Sequence, residues 1–284
     1  MIAWIFGDSF VDKNFPYGNK KSWADILLEN KGYKVNNFAM AGRSTDDAVF
    51  CLRDMLDKID PEKDYVLFTL SNASRFMTIE NIETKYINTS RHNVDIWQVW
   101  TKDYKGDIDI LNAMMKLGND YSNRLKLSIH SNYVKRLLDD IGVKYKMICG
   151  HFEFIEEQSD IVKKYMLKSE QRILPPEIMQ YYDTESYIKF NAGYCLINDF
   201  FHFQIDKLLK SDNPKKQKLQ DHFNQWVIEE KKTPWKYAEV GAKFIHRLNQ
   251  TQSHDEDVFF DTWHLSTNGH KQYAKYAEQY DWGI

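Results

Sequence analysis

The chain has 284 residues, a net charge of −3 and a hydrophobic share of 43%. These values are typical of a globular protein with one sizeable core. They predict a single domain over residues 1–284 that carries large insertions, rather than two equal halves. Because basic residues do not gather into a stripe, nucleic acid is a poor candidate for the partner. No apolar run approaches the roughly 20 residues of a membrane-spanning helix, so no membrane span is expected.

The three cysteines, Cys51, Cys149 and Cys195, lie far apart in the sequence and in apolar surroundings. Their spacing does not match a zinc ribbon and favours reduced core residues in a reducing compartment. The first residues lack the basic and apolar regions of a signal peptide. We therefore expect a cytoplasmic protein, or a virion-associated one if it is phage-encoded.

Apolar runs alternate with helical patterns through the first 150 residues. Strands are predicted at 2–6, 33–40, 65–70 and 144–149. Helices are predicted at 22–31, from Ser44 to about Ile59, and at about 120–141. This alternation is typical of βαβ units around a parallel sheet, whose ligand sites lie beyond the carboxyl ends of the strands.

Two stretches interrupt the alternation. Residues 76–118 are polar and aromatic without a clear period, and residues 153–256 show several helical patterns. We interpret both as insertions, and the second as a mainly helical cap. The alternation resumes at 258–260, and a final helix is predicted from about Gly269 to Tyr280.

A serine follows the first predicted strand, in Gly7-Asp8-Ser9. Such a serine projects from the edge of the sheet where ligand sites belong, although a turn held by local hydrogen bonds explains the tripeptide equally well. Near the other end of the chain, Asp261 precedes His264 by three positions. A histidine can take the proton of a serine nucleophile, and a carboxylate on its other nitrogen orients it. A surface loop and a metal site are the alternatives.

Two strand ends offer hydrogen-bond donors. Gly42 follows the second predicted strand and Asn72 the third. The Gly42 N–H and the Asn72 amide can stabilise an oxyanion, a contribution of roughly 3–4 kcal/mol from each such donor. A turn glycine and a capping asparagine are the alternatives.

The order Ser, Gly, Asn and Asp-x-x-His, each at a predicted strand end, resembles the SGNH hydrolases, also called GDSL esterases and lipases. The four blocks of that family are matched by Gly7-Asp8-Ser9, Gly42, Asn72 and Asp261-x-x-His264. The last block is the closest match, because Gly269-His270 continues it. The resemblance covers about 2–75, 120–150 and 257–282.

The chain departs from the family's pattern in two blocks. Phe10 stands where many members have Leu, a harmless change. In the third block Leu70 and Ala73 replace a Gly and an Asp, so that Ser71 or Arg75 could share the role of Asn72.

The resemblance implies an α/β fold, a three-layer α/β/α sandwich with a flavodoxin-like parallel sheet of about five strands. It also implies a mechanism in which Ser9 attacks an ester carbonyl, with His264 as base and Asp261 as its orienter. The N–H groups of Ser9 and Gly42 and the side chain of Asn72 would hold the oxyanion. Water would then release the acyl-enzyme. The resemblance implies no metal or organic cofactor.

Further residues are candidates for substrate binding at the edge of the site. They are Asp8, Arg43, Arg75, His151 and Trp263. The two arginines would suit an acidic or polar acyl group, but pairing with Asp46 or other surface acids is the favoured alternative.

The leading hypothesis is a serine esterase for a small-molecule or carbohydrate ester, such as a carbohydrate O-acetyl esterase, with aromatic insertions that grip sugar rings. The alternative is an SGNH-fold binding or structural module, for example in a phage particle, with weak or no catalysis. The insertions, about half of the chain, and the irregular third block favour that alternative. A nucleotide binder is disfavoured because no Gly-x-Gly-x-x-Gly follows a strand. The acyl specificity and the oligomeric state do not follow from the sequence.

Overall fold

A computed structural model describes residues 1–15, 18–71, 75–80, 90–95, 120–149, 200, 221 and 264–284. In chain order its elements are β1 (Ile2–Phe6), α1 (Trp23–Asn30), β2 (Lys34–Asn37), α2 (Thr45–Arg53), β3 (Tyr65–Leu70), β4 (Arg75–Glu80), β5 (Ser90–Asp95), α3 (Asp120–Ile141), β6 (Lys144–Cys149) and α4 (Thr267–Ala277). In this part of the chain, no helix has both the length and the apolar character needed to cross a membrane.

The central sheet has four parallel strands among the described residues, in the order β2-β1-β3-β6. Every residue of β3 is buried, as expected for a strand that is covered on both faces. The strand order is that of the flavodoxin-like folds, in which the chain changes direction of winding between β1 and β3. Ligand sites of such sheets lie beyond the carboxyl ends of the strands at this point, so the end of β1 is where a site is expected.

One face of the sheet packs against α2 and α3. The buried cluster on this face includes Trp4, Phe6, Val66, Phe68 and Leu70 from the strands, and Ala48, Leu52, Leu127, Val134 and Leu138 from the helices. Alternate residues of a strand point to the same face, and residues three or four apart line one stripe of a helix. The sheet and both helices therefore bury matched apolar surfaces.

The opposite face is covered by α1 and α4. The Trp23 ring of α1 lies 4.9 Å from the Tyr273 ring of α4 and 5.6 Å from the Trp282 ring, measured between centroids. The hydroxyl of Tyr65 in β3 donates to the Trp282 carbonyl at 2.9 Å. Helices thus flank the parallel sheet on both faces, which confirms the predicted α/β fold.

Capping explains why α1 begins and ends where it does. Ser22 and Asp25 form a reciprocal capping box, in which each side chain accepts from the other residue's backbone N–H. Gly32 follows the helix with a φ of +88°, a conformation that glycine adopts without strain. Burial raises the pKa of the Asp25 carboxyl, and its hydrogen bonds from Ser22 oppose that shift.

Several predicted boundaries are wrong. Helix α2 ends at Arg53 instead of about Ile59, and Leu56–Lys58 form a separate 3₁₀ turn. Ile59 is extended, with φ −84° and ψ 121°, so the helical backbone ends two residues before Pro61. The predicted strand at 33–40 is shorter as well, although hydrogen bonds from Phe38 N–H to Ile5 O and from Met40 N–H to Gly7 O continue its pairing.

The predicted insertion at 76–118 contains two strands. β4 and β5 pair antiparallel, from Arg75 opposite Asp95 to Glu80 opposite Ser90. Strand pairing uses backbone groups, so it forms here without the alternating pattern that the sequence lacks. Of the predicted cap at 153–256 the structure describes only two residues, Phe200 and Asp221, and the predicted strand at 258–260 lies outside the described residues.

Candidate active site

The hydroxyl of Ser9 meets the imidazole of His264 beyond the carboxyl end of β1. The Ser9 Oγ lies 2.9 Å from Nε2 of His264, within hydrogen-bond distance. Ser9 follows β1, whereas His264 lies just before α4. The Ser9 residue is only 3% exposed, so the contact is largely shielded from water.

Gly7 lets the chain turn closely past the neighbouring strand. A Cβ at this position would lie 2.7 Å from Cβ of Thr69 on β3 and 2.8 Å from Cγ2 of Val11. Real Cβ atoms do not approach other atoms this closely. The glycine therefore allows the turn that carries Ser9 to pack directly on β3.

Two aromatic rings hold the His264 imidazole. The Phe10 ring stacks on it with centroids 5.4 Å apart, and the Phe15 ring meets it edge-on at 4.6 Å. Phe10, a harmless departure from the family's pattern in the sequence, thus contacts the histidine directly. Packing on two sides restricts the rotamer of His264 and keeps Nε2 aimed at Ser9.

Another histidine, the buried His270 of α4, contacts the segment that carries Phe15. His270 accepts a hydrogen bond at Nδ1 from the Trp23 N–H at 3.1 Å, so its proton lies on Nε2, which is 3.3 Å from the Phe15 carbonyl. Burial lowers the pKa of His270 to about 4, the Phe15 carbonyl opposes that shift, and His264 adds to it. A neutral imidazole therefore fixes the segment that carries Phe15.

Gly42 lies in a tight turn at the end of the β2 pairing. The Arg43 N–H donates to the Met40 carbonyl at 3.1 Å, which closes a four-residue turn. Gly42 has a φ of +81°, as the third position of a type II turn requires. Among the described residues, no acceptor is found for the N–H of Gly42 or of Ser9. Within the described part of the chain, both N–H groups can therefore donate to a ligand.

The two candidate arginines are both engaged in ion pairs. Arg75 Nη1 lies 3.0 Å from Oδ2 of Asp8, whose side chain is fully buried, and 3.3 Å from the Ser71 hydroxyl. Arg43 pairs through Nε with Asp47 at 3.0 Å and also donates to the Phe38 carbonyl. Arg43 thus pairs with an acid in the first turn of α2, and Arg75 braces the residue next to Ser9.

Two polar residues that the sequence did not single out also reach this edge. Asp12 accepts the Ala41 N–H at 2.8 Å, and Asn37 donates to the Val11 carbonyl at 2.7 Å. Both contacts join segments that are far apart in the sequence. No local sequence pattern identifies either residue. The only available signal was that Asp12 is a charged residue three positions after Ser9.

The remaining candidates, Asn72, His151, Asp261 and Trp263, lie outside the described residues. Among the residues that are described, no cluster of three or more His, Cys, Asp or Glu side chains could hold a metal ion. A serine hydroxyl within hydrogen-bond distance of a histidine nitrogen is an arrangement that can perform nucleophilic acyl transfer.

Comparison with solved structures finds similar chains of low sequence identity. One is the protein YXIM of Bacillus subtilis, with 13% identity, a TM-score of 0.43, and coverage of 98% of this chain but only 55% of that chain. Another is a protein of the lipolytic G-D-S-L family from Veillonella parvula, with 11% identity, a TM-score of 0.36, and coverage of 98% and 97%. A third is the acetylxylan esterase Axe2 of Geobacillus stearothermophilus, with 14% identity, a TM-score of 0.34, and coverage of 98% and 92%.

No curated protein matches the sequence significantly. The family model described as GDSL-like Lipase/Acylhydrolase, however, matches residues 4–277, which is nearly the whole chain. The matched range includes both Ser9 and His264. The chain therefore belongs to the GDSL-like lipase/acylhydrolase family of ester-bond hydrolases.

Proposed function

We propose that this protein is a serine esterase that cleaves a small polar acyl ester, namely an O-acetyl group on a carbohydrate. The observation that carries the proposal is the 2.9 Å contact between Ser9 Oγ and His264 Nε2. A serine is a weak nucleophile at its ordinary pKa, and a histidine within hydrogen-bond distance removes its proton as it attacks.

The described residues support the following sequence of steps. Ser9 Oγ attacks the ester carbonyl while Nε2 of His264 accepts the hydroxyl proton. The carbonyl oxygen becomes an oxyanion, which the N–H groups of Ser9 and Gly42 stabilise. His264 then protonates the leaving alcohol, and an acyl-Ser9 ester remains. A water molecule, deprotonated by His264, attacks that ester, releases the acid and restores Ser9.

Two further residues enter the proposed mechanism on the basis of their sequence motifs alone. Asp261 is proposed to accept a hydrogen bond from Nδ1 of His264 and to stabilise the imidazolium, and Asn72 is proposed as a third oxyanion donor. The preference for a carbohydrate ester rests on the aromatic residues of the insertions at 76–118 and 153–256, since aromatic side chains pack well on sugar rings.

Hydrolysis assays test the proposal. Purified protein should release p-nitrophenol from p-nitrophenyl acetate faster than from the octanoate ester, and should deacetylate acetylated xylo-oligosaccharides. Ser9→Ala should abolish both activities and block labelling by a fluorophosphonate probe. Ser131→Ala is a matched control, because Ser131 is also buried but lies on α3. A chain that folds, hydrolyses no ester and resists the probe would instead be a binding or structural module.

A further inference from the structure

Three hydrogen bonds among the described residues join the Ser9 loop to the segment that runs from Asn37, the end of β2, into the turn that carries Gly42. The first joins the Met40 N–H to the Gly7 carbonyl at 3.2 Å. The second joins the Ala41 N–H to Oδ2 of Asp12 at 2.8 Å. The third joins Nδ2 of Asn37 to the Val11 carbonyl at 2.7 Å. Asp12 and Asn37 thus connect the two segments that carry the open N–H groups.

Asp12 makes the contact nearest to Gly42. The residue is 5% exposed, and its carboxyl group uses both oxygens, with Oδ2 accepting the Ala41 N–H and Oδ1 accepting the Asn14 N–H at 2.8 Å. Hydrogen bonds to a carboxylate are shorter and stronger than those to a neutral acceptor. The carboxylate therefore holds the peptide unit that enters the turn more firmly than a backbone carbonyl would.

The neighbours of the Gly42 N–H are both engaged. On one side the Ala41 N–H binds Asp12, and on the other the Arg43 N–H binds the Met40 carbonyl at 3.1 Å. Among the described residues, the Gly42 N–H has no such acceptor. With both adjacent peptide units held, the unit between Ala41 and Gly42 has little freedom to change the direction of its N–H.

We propose that Asp12 is a positioning residue for the oxyanion hole, which holds the Gly42 N–H in place through the Ala41 N–H. This role rests on the proposed esterase function of Ser9. Asp12 touches no reacting atom, so its effect passes through the turn. A preorganised donor stabilises the transition state because it needs no reorientation when the negative charge develops.

Because Asp12 is charged, the direction of the change in turnover in an Asp12 variant distinguishes two explanations. A carboxylate near a developing oxyanion repels it, so removal of that negative charge by itself would favour the transition state. Asp12→Asn removes the charge and keeps one acceptor oxygen, which can serve only one of the two N–H groups. A lower turnover in this variant therefore reflects lost geometry, whereas a higher turnover reflects lost repulsion.

Asp64 provides a matched control. It is 6% exposed, and its carboxylate accepts from the Ile2 N–H at 2.8 Å and from Nε1 of Trp4 at 2.9 Å. It is thus a buried, multiply bonded aspartate like Asp12, but it braces the start of β1, at the opposite end of the strand from Ser9. Asp64→Asn should reduce stability without changing turnover.

The experiment measures kcat, KM and the affinity for phenylboronic acid in the wild type, Asp12→Asn, Asp12→Ala and Asp64→Asn. Complete loss of an oxyanion donor lowers kcat by about 10²–10³-fold, so displacement of one should lower it by about 10–100-fold. We expect that loss in Asp12→Ala, a smaller loss in Asp12→Asn, and a KM within about twofold of the wild type in both. The affinity for the boronic acid, which forms a tetrahedral adduct on Ser9, should fall by a similar factor.

Several results would overturn the proposal. They are an unchanged or raised kcat in Asp12→Asn, a loss that lies entirely in KM, or an equal loss of kcat in Asp64→Asn. If Asp12→Ala does not fold, the kcat and boronic acid affinity of Asp12→Asn alone test the proposal. Failure of the esterase proposal is recognised separately, because the wild type would then show no hydrolysis that depends on Ser9, and the role of Asp12 would fall with it.

Discussion

Ser9 and His264 are separated by 255 positions in the chain, yet the Ser9 Oγ lies 2.9 Å from the His264 Nε2. The two residues belong to different parts of the fold: Ser9 follows the end of β1, and His264 precedes the start of α4. The contact exists because α4 packs against α1, on the face of the sheet opposite to α2 and α3. Loss of either partner should therefore affect chemistry much more than folding.

His264→Gln should reduce kcat for p-nitrophenyl acetate by about 10³-fold or more, because a glutamine amide cannot accept the serine proton. The change is expected to leave KM within a few-fold of the wild type. Steady-state kinetics measure both constants. His130→Gln is the control, since His130 is half-buried on α3 and its Nε2 contacts Asp46 instead. Equal losses in the two variants would contradict the proposed role of His264.

Removal of Arg75 should destabilise the protein because it takes away a cation that pairs with the buried Asp8 carboxylate. Breaking a buried ion pair from one side typically lowers the free energy of unfolding by about 3–5 kcal/mol. Arg75→Met is expected to fall in this range in urea denaturation, and the double variant Asp8→Asn/Arg75→Met should recover much of the loss. Lys63→Met removes an exposed ion pair with Asp60 and should change little. A double variant no more stable than Arg75→Met would argue against this account.

Gly7→Ala should disturb the Ser9 turn through a steric clash. The added methyl group would lie 2.7 Å from Thr69 Cβ, so the turn must shift away from β3. Thermal unfolding should show a lower Tm than the wild type, and kcat should fall with it. Gly18→Ala is the comparison, because Gly18 has a φ of +92° but open space around it. It should lose only about 1–2 kcal/mol from backbone strain. A smaller effect at Gly7 than at Gly18 would contradict the steric argument.

Acid should destabilise the protein partly through His270. Burial lowers its pKa to about 4 in the folded state, whereas an unfolded histidine titrates near 6.5. The unfolded chain therefore binds the extra proton between these values. Stability should be independent of this group above about pH 6.5 and should fall by up to about 3 kcal/mol as the pH drops towards 4.

His270→Asn tests that dependence, since Oδ1 of Asn can still accept the Trp23 N–H without a titrating group. Urea denaturation at several pH values between 4.5 and 7.5 should give a shallower loss of unfolding free energy in the variant than in the wild type. Other titrating groups contribute to both proteins and cancel in the difference. Parallel curves would show that His270 does not titrate in this way.

Local chemistry made much of the fold predictable. The buried apolar run of β3, the Ser22 cap and the positive φ of Gly32 each depend on neighbours within a few positions. The predicted end of α2 was less accurate, because the helix ends at Arg53 and a separate 3₁₀ turn follows at Leu56–Lys58. The prediction also missed β4 and β5, whose pairing leaves no periodic signal.

The sequence by itself determined the fold class and the family, and it proposed the residues that carry the chemistry, because strand ends and short motifs are local features. Only the tertiary structure decided which distant groups meet at Ser9. It placed the Phe10 and Phe15 rings on His264, paired Arg75 with Asp8 and joined Asp12 to the turn of Gly42. Such contacts depend on strand register and helix packing, which set distances between segments that no local pattern connects.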